Sequence, residues 1–236
     1  MALQNPGQWF LSFDCATKSF AYCLMRISDP KRLAEDSLRK IRAATGGTQL
    51  EELKKFADGL KNCFYIAGGG AVDLVPGTKN TNISTVKRIR ALDVYLRGPV
   101  AETLKRCDCP PSQLNVVVEF QMGANAPARA IAAALVMYYI SANVFLVGPS
   151  YKNKVELAAR PDLRHCFFVE KYCSLYTANK NHTKAVYYDF LLPLFEHSLP
   201  PGLPVKMKAD YADTIMQVLG YLQNKRKLSK KETDMF

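Results

Sequence analysis

Residues Trp9–Met25 (WFLSFDCATKSFAYCLM) constrain the fold more than any other stretch of the chain. Trp9–Phe13 carries no charge, the pattern of a strand buried on both faces in the middle of a sheet. Phe20–Met25 is a second run rich in β-formers, and the short Ala16-Thr17-Lys18-Ser19 connection makes it the antiparallel partner of the first. Asp14 closes the first run, so a carboxylate is expected at the mouth of a rigid central strand.

The rest of the chain is organised around that hairpin. Pro30–Ala44 is a charged helix stopped by Gly46-Gly47, and Gln49–Leu60 is a second, amphipathic one; together they form a helical insertion at about 30–60. Asn62–Pro76 has the composition of a third strand interrupted by Gly68-Gly69-Gly70. No Gly-Lys-Ser/Thr follows, so the glycines point to a bulge or bend rather than a phosphate loop. Thr85–Cys107 is a long helix with Val86, Ile89, Leu92, Leu96, Val100 and Leu104 at helical spacing. Pro99 kinks or divides it, and Lys87, Arg88, Arg90 and Arg97 are expected on its solvated face.

Leu114–Phe120 (LNVVVEF) is a β-branched strand that again reaches a carboxylate, Glu119. Ala126–Ser141 is an Ala-rich helix with Pro127 in its first turn, and Asn143–Gly148 reads as another buried strand. This strand–helix–strand order implies a parallel crossover. Thr177–Phe195 begins polar and basic and becomes an apolar helix. Met207–Leu222 is the final helix, and the basic run Asn224–Lys231 is expected to be a disordered tail, either a DNA-contacting arm or a solubilising one. No repeat or linker interrupts residues 1–236, which read as a single α/β domain with an insertion and a basic tail at 224–236.

Charge narrows the partners. Lys plus Arg number 32 against 21 Asp plus Glu, a net +11 that favours a polyanion, with nucleic acid first. Seven scattered Cys, with Cys107 and Cys109 the one close pair, do not supply a zinc pattern even with His165, His182 and His197. Reduced thiols and the lack of a basic n-region and apolar h-region at the N-terminus suggest an intracellular protein. No apolar run reaches membrane-spanning length, so no membrane partner is expected.

The acids carry the chemistry. Asp210 and Asp213, three apart near the start of the last helix, project on one face, where the helix dipole favours negative charge. An isolated Asp-x-x-Asp is weak; combined with Asp14 and Glu119 at strand ends, it becomes specific. Converging acids repel unless cations neutralise them, and oxygen-only ligands select Mg²⁺, with Mn²⁺ as a substitute. Two such ions, roughly 4 Å apart, can activate water and stabilise a leaving 3′-oxygen.

This pattern of acids, in the segments VVVEFQMGANAPARAIAAAL and KADYADTIMQ, resembles the RuvC-type Holliday junction resolvases of the RNase H-like superfamily, and more closely their poxvirus and iridovirus relatives. The likeness covers most of Trp9–Leu222; residues 30–60 and 156–173 fit it poorly. It implies an RNase H-like mixed five-stranded sheet flanked by helices. It also implies a homodimer that nicks paired strands of a four-way DNA junction, in recombination and replication-intermediate processing in the nucleus or cytoplasm of an infected host cell, with no small-molecule cofactor. Asp14, Glu119, Asp210 and Asp213 carry over as the metal-binding catalytic set holding two Mg²⁺ ions. Lys180 carries over as a catalytic phosphate contact and Lys184 as a DNA contact, since Asn179–Lys184 lies where the family has a basic segment. Arg129, Lys152, Lys154 and Lys18 are further DNA-contact candidates, while His182 is left out of the catalytic set and Cys15 is a packing residue.

Three alternatives remain at this level. An actin-like ATPase or sugar kinase also opens with a strand, an Asp and a small-residue turn, but would need a second phosphate loop and a Gly-rich adenosine motif. A binding module without cleavage would normally have lost an acid. A nuclease of the same fold could instead act on other branched DNA or RNA–DNA hybrids.

Overall fold

A computed structural model describes residues 7–15, 19–28, 64–77, 83–121, 125–148 and 202–233. The helices expected at 30–60 and 177–195 lie outside the described residues. The described chain runs β1 (Gln8–Cys15), β2 (Ser19–Ile27), β3 (Phe64–Asp73), α1 (Thr85–Tyr95), α2 (Ala101–Arg106), β4 (Leu114–Glu119), α3 (Ala126–Tyr138), β5 (Asn143–Val147) and α4 (Val205–Thr233). The five strands form one sheet in the order β3-β2-β1-β4-β5. β1, β2 and β3 are antiparallel neighbours, whereas β4 is parallel to β1 and β5 parallel to β4. That order and mix of directions make an RNase H-like sheet.

β1 is central, and Phe10–Cys15 are all buried, as an uncharged run bounded by neighbours on both sides requires. Its alternation sorts the two faces of the sheet. Leu11, Phe13 and Cys15 join a core with Tyr22, Val116, Val118, Leu92, Leu96 and Leu135, so α1 and α3 cover one face. The other face, which carries Ser12 and Asp14, meets α4, which packs on β1, β2 and β3.

The glycine run lies within β3. A register shift at Leu24/Met25 leaves Ala67 as an extra residue, a β-bulge that fits the expected bend. A Cβ at Gly69 would collide with the Tyr211 ring of α4 and with the Tyr22 carbonyl, and one at Gly68 would meet Arg106 and Thr103 on the α2 side. The glycines therefore let helices approach both faces of one strand, and no phosphate loop is formed there.

Pro99 divides the long helix. Leu96–Val100 is a π-helical turn between α1 and α2, because the proline ring cannot sit in a regular α-turn. The Pro99 carbonyl accepts from the hydroxyls of Thr103 (2.9 Å) and Tyr22 (3.1 Å), which ties the turn to β2.

Three expectations are corrected. Arg88 is 1 % exposed while Val86 is 58 % exposed, because the buried stripe of α1 runs Arg88–Leu92–Leu96 and takes in the whole arginine side chain, guanidinium included. β5 is an edge strand with only Val147 buried, since no strand pairs beyond it among the described residues. The last helix starts at Val205 and continues through the basic run to Thr233, so that run is helical rather than disordered. Its Lys, Arg and Leu are good helix formers, and neither Gly nor Pro interrupts them. The early start also removes the dipole rationale for Asp210 and Asp213, which lie beyond the first turn, where that field fades.

Candidate metal centre

Phe13 pairs with Val118 across the parallel β1–β4 ladder, so Asp14 and Glu119 are the next residues at the same ends of adjacent strands. The helix α4 lies across this region. Asp210 and Asp213 reach inward one turn apart on it, and each of Asp14, Asp210 and Asp213 offers a carboxylate oxygen within 4.8 Å of the others. All three are buried, as is Glu119. Seating of the helix sets their position: Tyr211, between the two aspartates, occupies the notch left by Gly69, and its hydroxyl accepts from the Cys23 thiol at 3.5 Å.

Glu119 is not a member of the three-aspartate group. Its Oε2 instead accepts from the side-chain amide of Gln217 at 3.2 Å, and Gln217 Oε1 accepts from the Ser12 hydroxyl at 3.2 Å. Sequence reasoning missed Gln217 and Ser12. Both were detectable: Gln217 is one turn beyond Asp213 on the same helical face, and Ser12 is two residues before Asp14 on the same strand face.

Three carboxylates this close repel one another strongly in a buried setting unless positive charge is brought in. The donor set is oxygen only, which suits a hard divalent cation such as Mg²⁺ or Mn²⁺ and not zinc. Neighbouring thiols do not compete for that role. Burial, with Asp14 and Glu119 adding to it, pushes the Cys15 thiol well up, and burial pushes Cys23 up to about 12 despite its hydrogen bonding with Tyr211 and Thr214. Both thiols stay protonated near neutrality, and neither is a thiolate ligand or a nucleophile there.

Of the basic candidates, Arg129 is half-buried in the first turn of α3, the helix entered from the end of β4. The Asn125 side chain caps that helix by accepting from the Ala128 amide, and it donates to Gln121 Oε1 at 3.0 Å. Lys18, Lys152, Lys154, Lys180 and Lys184 lie outside the described residues.

The fold and the site together define an RNase H-like α/β domain with a buried aspartate cluster across its central strand. No protein-family profile matches the sequence, and no curated protein does. Among solved structures the chain is similar to RuvC of Thermus thermophilus, at 13 % identity and a TM-score of 0.43, over 92 % of this chain and 96 % of that one. Among the described residues no helix is long and apolar enough to cross a membrane.

Proposed function

We propose that the protein is a divalent-cation-dependent endodeoxyribonuclease that resolves four-way DNA junctions. The observation that carries this reading is the buried Asp14–Asp210–Asp213 cluster in a chain of net charge +11. An acidic centre inside a strongly basic protein suits a polyanion held by the surface and hydrolysed at the floor.

Asp14, Asp210 and Asp213 would hold the cation, with Glu119 beside them on the neighbouring strand. A bound Mg²⁺ or Mn²⁺ supplies charge neutralisation for a phosphodiester and its attacking water. The chain's own residues do the rest. β1 and β4 are rigid and buried, so Asp14 and Glu119 keep their spacing; Tyr211 in the Gly69 notch fixes the height of the two α4 aspartates. Lys180, with Lys184, contacts the scissile phosphate, and Arg129, Lys152, Lys154 and Lys18 hold the flanking backbone. Four-way junctions as the substrate, a homodimer that places two such centres on paired strands, and a large DNA virus as the source rest on the resemblance of VVVEFQ and KADYAD to the viral RuvC-type resolvases.

The test is incubation of the purified chain with a labelled four-way junction and Mg²⁺, beside linear duplex and an RNA–DNA hybrid. Paired nicking of the junction is expected, abolished by Glu119→Gln or Asp14→Asn with junction binding kept. Binding should weaken steeply with added salt through counterion release. Cleavage of the hybrid alone, or cleavage unaffected by either substitution, refutes the proposal.

A further inference from the structure

We propose that Gln217 is a positioning residue for the acidic centre: its side-chain amide, bridged between Ser12 of β1 and Glu119 of β4, aims the Glu119 carboxylate at the aspartate cluster. This rests on the nuclease reading and adds a residue to it.

Gln217 is 1 % exposed and sits in Tyr211–Gly220, a helical stretch whose residues are all buried. A primary amide in such a place is destabilising unless its polar atoms are hydrogen-bonded. Here both ends are used: Nε2 donates to Glu119 Oε2 and Oε1 accepts from Ser12 Oγ. The chemistry of the partners sets which way the amide faces. An ionised carboxylate only accepts, so it must take the NH₂ end, and the hydroxyl then donates to the carbonyl end.

The bridge joins three elements that also carry the acids. Ser12 is two residues from Asp14 on β1; Gln217 is one turn from Asp213 on α4; Glu119 ends β4. A glutamate has a longer, more rotatable side chain than an aspartate, and Glu119 is the one acid of the four outside the group whose oxygens lie within 4.8 Å of each other. It is therefore the acid whose orientation most depends on a second residue. Gln217 supplies that restraint from the same helix that delivers Asp210 and Asp213, so the orientation of Glu119 is tied to the seating of α4. Groups that orient ligand carboxylates from behind typically change metal affinity or activity 10–100-fold when removed.

The test uses Gln217→Met, which keeps the length of the side chain and removes the amide, and Ser12→Ala, which removes the hydroxyl that orients it. Mn²⁺ binding is measured by calorimetry on the DNA-free protein, together with the Mg²⁺ dependence of junction cleavage, junction affinity in EDTA, and circular dichroism. The expected result is Mn²⁺ binding about 10-fold weaker in Gln217→Met, a matching rise in the Mg²⁺ needed for half-maximal cleavage, and unchanged junction affinity. Ser12→Ala should shift both in the same direction by less. If Gln217→Met fails to fold, Ser12→Ala alone decides: weaker Mn²⁺ binding supports the role and wild-type binding overturns it. A merely structural glutamine would lower thermal stability and leave Mn²⁺ affinity untouched, which also overturns the proposal. Failure of the wild-type protein to bind Mn²⁺ or cut the junction overturns the nuclease reading and this inference with it. An active wild type with a Gln217→Met variant equal to it overturns this inference alone.

Discussion

Replacing Asp213 by Asn should stabilise the protein when metal is withheld, the reverse of the usual penalty for altering a buried polar residue. Asp14, Asp210 and Asp213 present oxygens within 4.8 Å of one another. At that separation and an effective dielectric near 20, two unit charges repel by about 3.5 kcal/mol. The substitution removes two of the three pairs. Each charge is shared by two oxygens, and only one of each pair is at that distance, so about half of the summed repulsion, ~3 kcal/mol, is the working figure. For a chain of this size that corresponds to a rise in Tm of roughly 6–12 °C. The assay is thermal unfolding in EDTA and again with saturating Mg²⁺. In the wild type, Mg²⁺ should raise Tm, by about 2.7 kcal/mol of stability at a hundredfold excess over Kd. In Asp213→Asn the EDTA curve should start higher and respond less to Mg²⁺. A lower Tm for Asp213→Asn in EDTA, joined to a wild type indifferent to Mg²⁺, would refute the idea that these acids form a cation site.

Two further outcomes follow from the packing around the centre. Gly69→Ala drives a methyl into Tyr211 and the Tyr22 carbonyl and should destabilise the fold by about 1–3 kcal/mol, as overpacking does; combining it with Tyr211→Leu should recover part of the loss in a double-mutant cycle, and strict additivity would show that the two do not share the notch. Alkaline unfolding should report the buried thiols. Cys23 is pushed from an ordinary value of 9.0 up to about 12 in the folded state, chiefly by burial. The folded protein thus holds a proton that the unfolded chain releases, and stability, full below about pH 9, declines as pH rises toward 12. Cys23→Ala should flatten that decline in pH-dependent urea unfolding; a slope equal to the wild type's would mean that the thiol does not contribute.

Much of the sheet was legible from local pattern. The uncharged run Trp9–Phe13, the β-branched LNVVVEF and the parallel crossover from LNVVVEF to Asn143–Gly148 follow from hydrophobic period and chain order, which depend only on neighbouring residues. That is why the acids at Asp14 and Glu119 could be placed at strand ends before any contact was known. Helix rotation and helix length were less legible. Arg88 looked like a surface residue and Val86 like a core one, because one turn of difference in the buried stripe depends on how α1 meets the sheet and α3. The basic run at 224–231 looked like a tail, since charge alone does not distinguish a solvated helix from a coil.

What the amino-acid order determined by itself was which residues are acidic, which runs are strands and that Asp210 and Asp213 share a helical face. Periodicity acts over a few residues, so it reaches no further. Only the tertiary structure decided that an aspartate at position 14 lies within 4.8 Å of two near position 210, that a glycine in β3 admits Tyr211, and that Gln217 holds Glu119. These depend on α4 settling into a notch in the sheet, an event set by packing between residues from 98 to 205 positions apart in the chain, which no local pattern encodes.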